Sequence, residues 1–286
     1  ILNGVYVEGN FFNSLSISNA SNISVASNRG GVDTAAYTLN INLSGVNNAK
    51  VEGNKSNTLR ASSSNSVKFL RNRISDQSDW GIVSGSSTNV EVRGNSLSTP
   101  NGILVDNGDS IRVVGNRVFR SAPSSGHGIL GQGAIRLFEA DSNEVVNYGY
   151  GVTTRPPDGQ LWKVTNNKIM QTNIAGILLE GVGGQVSGNR VLGVSSGSGI
   201  NVNGQGVKIF NNYIQIGGDG SAKGFSLQPS GSGSSILFNS VNITGTDIVN
   251  GRALEVMGGD SYVIKNNIFA NTGGGYAAYF ASTPAV

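Results

Sequence analysis

From one end to the other, the chain alternates short runs in which every second residue is apolar with clusters of Gly, Asn and Ser. The stretch "VYVEGNFF" returns in altered form as "AKVEGNKS", "NVEVRGNSL", "IRVVGNRVF" and "GQVSGNRVL". Aligning these runs gives a recurring asparagine at Asn10, Asn28, Asn54, Asn72, Asn95, Asn116, Asn143, Asn167, Asn189, Asn212, Asn239 and Asn267. The mean spacing is about 23 residues, the period of a stacked repeat architecture.

Around each asparagine the pattern is apolar at −5 and −3, Gly, Asn or Ser at −1, and usually apolar at +2. Val90, Val92, Gly94, Asn95 and Leu97 show it, as do Trp162, Val164, Asn166, Asn167 and Ile169. A spacing of two sends side chains to one face of a strand. Gly or Asn at −1 suits a backbone with positive φ, where a Cβ is costly. Each repeat is therefore a strand, a sharp bend and a second strand. A further strand opens each repeat, marked by a small residue followed by an apolar one, as in Gly81-Ile82, Gly102-Ile103, Gly151-Val152 and Gly176-Ile177. Length is expected to vary chiefly in one loop between repeats.

This pattern predicts an all-β fold, a single-stranded parallel β-helix (β-solenoid) of about 12 coils with three short strands per coil, running as one continuous domain over 1–286. Coils stacked at roughly 4.8 Å give a rod on the order of 55 Å long. The asparagines fall into one column at the bend. Their amides both donate and accept, so each can bond the next, and they are assigned to scaffold as an internal ladder.

The motif in "VRGNSL", "VSGNRV", "VTNNKI" and "IKNNIF" resembles that of the right-handed parallel β-helix repeat proteins of the pectin-lyase-like superfamily, over essentially the whole chain. That resemblance implies a right-handed coil. It leaves the activity open, because the superfamily holds pectate lyases, polygalacturonases, alginate lyases and epimerases, phage tailspikes and noncatalytic bacterial surface modules. The last stretch, "IKNNIFANTGGGYAAYF", looks like a segment of large secreted bacterial surface proteins, which implies a secreted or cell-surface location.

Composition narrows this picture. With 37% apolar residues and a net charge of only +3, the 42 glycines belong to tight turns and not to a disordered chain. No run of 18 apolar residues is present to span a membrane. The absence of cysteine removes disulfides and thiolate metal sites. Dispersed carboxylates do not converge as a hard cation requires, so neither a metal nor another cofactor is expected. The excess of 20 basic over 17 acidic residues is too small to imply nucleic acid.

On a solenoid, a site is a patch of outward residues from successive coils. Three places after the first apolar residue of the opening strand stand Gly85, Asp106, Phe138, Arg155, Glu180, Asn203, Gln228 and Met257. Asp106, Arg155 and Glu180, with Arg136 on the same face, would suit an acidic sugar. Arg holds a carboxylate bidentately and a second group can take a proton. The alternative for the same residues is a surface salt-bridge ladder. Tyr148 and Tyr150 could stack on sugars, while Trp162 sits at an inward −5 position. "RPPDG" at Arg155 to Gly159 and "LQPSGSGSS" at Leu227 to Ser235 read as protruding loops.

His127, the single histidine, lies in "SSGHGILG", which is similar to the Gly-His-Gly segment of polygalacturonases. The paired Asp motifs and the Arg-Ile-Lys segment of those enzymes are missing, so His127 is read as a polar loop residue, with a catalytic role as the alternative. The +1 column (Arg29, Lys55, Arg73, Arg117, Lys168, Arg190) and the −4 column (Lys50, Lys68, Arg112, Lys163, Lys208) form a basic stripe. It serves either a long polyanion or solvation of exposed strands.

Neither end reads as a cap, which suggests a fragment of a longer protein or end-to-end stacking into a filament. Two function classes stay open. The first is a noncatalytic secreted or cell-surface spacer or adhesive module that binds acidic polysaccharide. The second is a polysaccharide lyase, hydrolase or epimerase acting on an acidic glycan.

Overall fold

The computed structural model describes residues 2–30, 39–75, 79–157, 159–217 and 220–281. It is an all-β parallel solenoid of about 11 turns, against the 12 coils expected from the asparagine count. The strands gather into a 22-stranded sheet, which contributes two faces of the rod, and a 10-stranded sheet, which contributes the third. Every strand pairs in parallel with its counterpart one coil away, as in Tyr150↔Ala175, Val164↔Val186 and Ile169↔Val191.

One coil shows the plan. Tyr150–Arg155 lies on the first face, Leu161–Thr165 on the second and Lys168–Met170 on the third. Between the second and third faces the chain always turns with the same two residues, the −1 position and the asparagine. The −1 residue has left-handed φ in every coil, from Gly9 at +69° to Asn266 at +56°. Gly, Asn and Ser fill most of these positions because a Cβ is penalised there. Arg71 at +50° and Phe238 at +56° are the two bulky exceptions.

The length variation expected in one loop is spread over two corners. Between the third and first faces, Ile243 to Arg252 is a long excursion and Met170 to Ala175 a short one. Between the first and second faces, Ser62 to Asn65 is tight, whereas Leu227 to Ser235 includes a 3-10 turn at Pro229–Gly231. Both corners point into solvent, where insertions are tolerated. The asparagine corner points inward and allows none.

Apolar columns fill the interior. Ile82, Ile103, Ile129, Val152, Ile177 and Ile200 stack under the first face, and Leu97, Val118, Val145, Ile169 and Val191 under the third, all fully buried. Under the second face Phe138 and Trp162 are in register. Trp162 is 1% exposed and lies so close to Gly184 that a Cβ there would fall 2.2 Å from its ring. A large ring in one coil is thus compensated by a missing side chain in the next.

The asparagine column is hydrogen-bonded throughout. Each Nδ2 donates to the Oδ1 of the next asparagine, for example Asn95 to Asn116 at 2.9 Å and Asn116 to Asn143 at 3.0 Å. Each Oδ1 also accepts the backbone N–H of the preceding asparagine. Each Nδ2 has a further acceptor in the carbonyl three residues before that preceding asparagine, as with Asn116 to Val92 O at 2.8 Å. The side chain therefore satisfies the peptide groups that the bend would otherwise strand inside the rod.

Candidate functional site

The outward positions of the first face form columns along the rod because the strands keep register. Two residues before the inward apolar residue stand Trp80, Asn101, His127, Tyr150, Ala175, Ser198, Lys223 and Arg252. Three residues after this column lie Leu130, Thr153, Leu178, Asn201, Ser226 and Glu255, and five residues after it lie Asp106, Gln132, Arg155, Glu180, Asn203 and Gln228.

This register corrects the sequence reading at several residues. Gln132, and not Phe138, occupies the coil between Asp106 and Arg155. The opening strand of that coil begins at His127 and turns on Gly128-Ile129, so the count made from Ile135 started too late, and Phe138 is instead a buried second-face residue. Arg136 does not face Asp106. It pairs with Asp109 one coil away at 2.9 Å, and that contact holds the Asp109 carboxyl below its ordinary range. Asp106 stands two coils from Arg155 and accepts from Asn107 Nδ2 at 3.1 Å. Arg155 and Glu180, in adjacent coils, form an ion pair. Tyr148 cannot stack on a ligand: it is fully buried, its hydroxyl donates to the Thr99 carbonyl at 2.6 Å, and burial pushes its pKa up to about 12.

Tyr150 does face outward, and its partner is His127. The two rings stack at 4.6 Å between centroids and 12° between planes, and Trp80 extends the stack to His127 at 6.3 Å and 15°. His127 is a strand residue and not the loop residue read from the sequence. Its Nδ1 lies 3.0 Å from Thr153 Oγ1. Burial, and next the Arg155 charge, push its pKa down to about 4, with Glu180 acting in the opposite sense. The stack is therefore three neutral rings at physiological pH. A histidine that titrates at about 6.5 unfolded and about 4 folded stabilises fully above pH 6.5 and loses that contribution as pH falls toward 4. The wild-type midpoint in urea is expected to drop over this window, and that of His127→Phe to stay flatter; parallel curves would remove His127 as the cause.

Farther along the same face the charges neutralise one another. The Glu255 side chain is 1% exposed and takes Lys223 Nζ at 2.8 Å, Ser226 Oγ at 2.9 Å and the Arg252 guanidinium, which itself lies 3.6 Å over the Tyr279 ring. Burial raises the Glu255 pKa, but Lys223 and the hydrogen bonds outweigh it and leave the carboxyl below its ordinary range. Between this cluster and the Arg155–Glu180 pair lie Asn201 and Asn203. Their Oδ1 atoms are buried and have no hydrogen-bond partner among the described residues. Past Tyr150 its column continues with the small, buried Ala175 and Ser198. Trp80, Gln132 and Asn201 were not singled out from the sequence. Counting two residues back from Ile82, Ile129 and Val152 would have exposed the aromatic column.

Among the described residues no group of three or more His, Asp or Glu side chains is placed to hold a metal ion. The basic stripe is largely neutralised in its middle: Arg112 pairs with Glu139, and Arg117 and Lys168 with Glu144. No helix of the described residues is long and apolar enough to cross a membrane.

No protein-family profile matches the sequence. No curated protein matches it either. Solved structures do. One is a mutant tailspike protein of E. coli bacteriophage HK620 in complex with a hexasaccharide, with a TM-score of 0.57 at 13% identity over 89% of this chain and 59% of the tailspike chain. A second mutant of that tailspike, in complex with a pentasaccharide, gives 0.57 at 14% identity over 92% of this chain and 56% of its own. The chain thus spans less than two thirds of the length of these structures. The likeness identifies the architecture, and the chain is a right-handed parallel β-helix repeat protein by fold.

Proposed function

We propose that the chain is a noncatalytic, carbohydrate-binding β-helix module of a longer secreted or surface-displayed protein, which holds a polysaccharide along its first face. The observation that carries this reading is the outward stack of Trp80, His127 and Tyr150. Flat rings take the C–H face of a sugar. The saccharide complexes of the similar tailspikes support a saccharide ligand here. An acidic sugar unit would reach Arg155 only by displacing Glu180.

The carboxylates of this face argue against hydrolysis. Glu180 and Glu255 are each held by cations, and Asp106 and Glu255 each stand three coils from Glu180, roughly 14 Å at about 4.8 Å per coil, beyond the spacing of a paired acid and base. A glycan array should return binding to a defined set of polysaccharides, with Tyr150→Ala about tenfold weaker on each. Undiminished binding by Tyr150→Ala would move the site elsewhere. New reducing ends or unsaturated uronates from the bound glycans would make the protein an enzyme.

A further inference from the structure

The outer second face carries a cavity of about 350 Å³ that the first-face site does not use, lined in part by Leu161, Trp162, Lys163, Gly184, Gly206 and Lys208. Its shape follows from the sequence. The position six residues before the corner asparagine is Leu137 and Leu161 in two coils and then Gly183 and Gly206 in the next two, so the surface steps from side chain down to bare backbone. Leu161 is 64% exposed, although it flanks the buried Trp162. A Cβ built on Gly206 would meet nothing within 4 Å.

Two unpaired basic side chains flank this cavity. Lys163 and Lys208 are exposed and stand two coils apart with Gln185 between them in register. Neither has an ion pair among the described residues, whereas Lys168 in the coil of Lys163, and Arg112 and Arg117 two coils before it, each have a carboxylate. Two free ammonium groups therefore flank an apolar shelf, with their backbones roughly 10 Å apart.

We propose that this cavity binds an acidic saccharide, one carboxylate meeting each lysine and the C–H face of the intervening ring resting on Leu161 and on the Gly184 backbone over Trp162. The open, elongated form between two cations fits an extended dianion. A fatty acid has a single charge and needs an enclosed apolar pocket. This site stands independently of the first-face reading.

The test is calorimetric titration of the full chain with a short oligogalacturonate, with its carboxyl-reduced counterpart and with laurate. The oligogalacturonate should bind, and added salt should weaken it. Lys163→Gln and Lys208→Gln should each weaken it about tenfold. Gly206→Asn should block it, because asparagine accepts the left-handed backbone there (φ +64°) and adds a side chain to the cavity lining. Lys68→Gln, at the same column position four coils before Lys163, should leave it unchanged, which separates the cavity from the basic column as a whole. Equal binding of the carboxyl-reduced saccharide, binding of laurate in its place, indifference to both lysine variants, or no binding of the oligogalacturonate would each overturn the proposal.

Discussion

Asn116→Ala is expected to lower the unfolding free energy by about 3–5 kcal/mol, measured by urea denaturation. Asn116 is 1% exposed and its amide makes five hydrogen bonds: it accepts from Asn95 N and Nδ2 and donates to Val92 O, Val114 O and Asn143 Oδ1. Alanine leaves the two Asn95 donors and the Val92 carbonyl without their partners in a place water cannot reach. Each such group costs about 1–3 kcal/mol. Asn116→Asp should be worse at neutral pH, because a carboxylate oxygen would replace the Nδ2 that faces two acceptors, Val92 O and Asn143 Oδ1. At the end of the column, Asn10 bonds Glu8 O and Asn28 Oδ1 but is exposed, so Asn10→Ala should cost less than about 1 kcal/mol. Equal losses at Asn10 and Asn116 would show that stranded peptide groups are not the cause.

The difference between these two asparagines also shows what a sequence can reveal about such a rod. The coil period and the position of the bend were readable because backbone sterics act locally: a residue with positive φ followed by an inward side chain leaves its mark in every repeat. Arg71 and Phe238 break the rule at −1, yet their coils keep the same bend, since the pairing on either side holds the backbone there.

The outer face was only partly legible, and the reason is register. An error of one strand start, at Ile135 instead of Ile129, placed the buried Phe138 in a surface column and hid Gln132. The same miscount set Arg136 beside Asp106 when its actual neighbour is Asp109. Tyr148 and Tyr150 differ by two residues in "NYGYG", but a turn separates them: Tyr150 opens a strand and faces outward, while Tyr148 precedes it and points into the core. Nothing in composition or spacing tells those two tyrosines apart. The pairing of Arg155 with Glu180 depends on which coils are adjacent, and that was readable. The stacking of His127 between Trp80 and Tyr150 depends on rings leaning across Asn101, and that was not.

Gly151→Ala is expected to destabilise the protein by about 3 kcal/mol. Its φ is not left-handed, so the demand is for space: a Cβ would lie 2.4 Å from the Gly176 carbonyl oxygen and 2.4 Å from Ile169 Cγ2. The same approach recurs at Gly102, where a Cβ would lie 2.1 Å from Gly128 O, and at Gly224, 2.3 Å from Ala253 O. From Gly102 to Gly224 successive coils cross their neighbours here at backbone distance, just before the inward apolar residue of the first face. Gly85, with nothing within 4 Å of an added Cβ, is the control, and Gly85→Ala should be neutral or slightly stabilising. The crowded column also ties the scaffold to the proposed site, since Gly151 follows Tyr150 directly. A backbone pushed away at Gly151 carries Tyr150 off His127, now 4.6 Å away, whereas Gly224→Ala strains a coil beyond the aromatic stack. The two variants should thus lose similar stability in urea, and Gly151→Ala alone should also lose saccharide binding under conditions where both remain folded. If both lose binding equally, the first face responds to stability as a whole, and the stack at Tyr150 is not what holds the sugar.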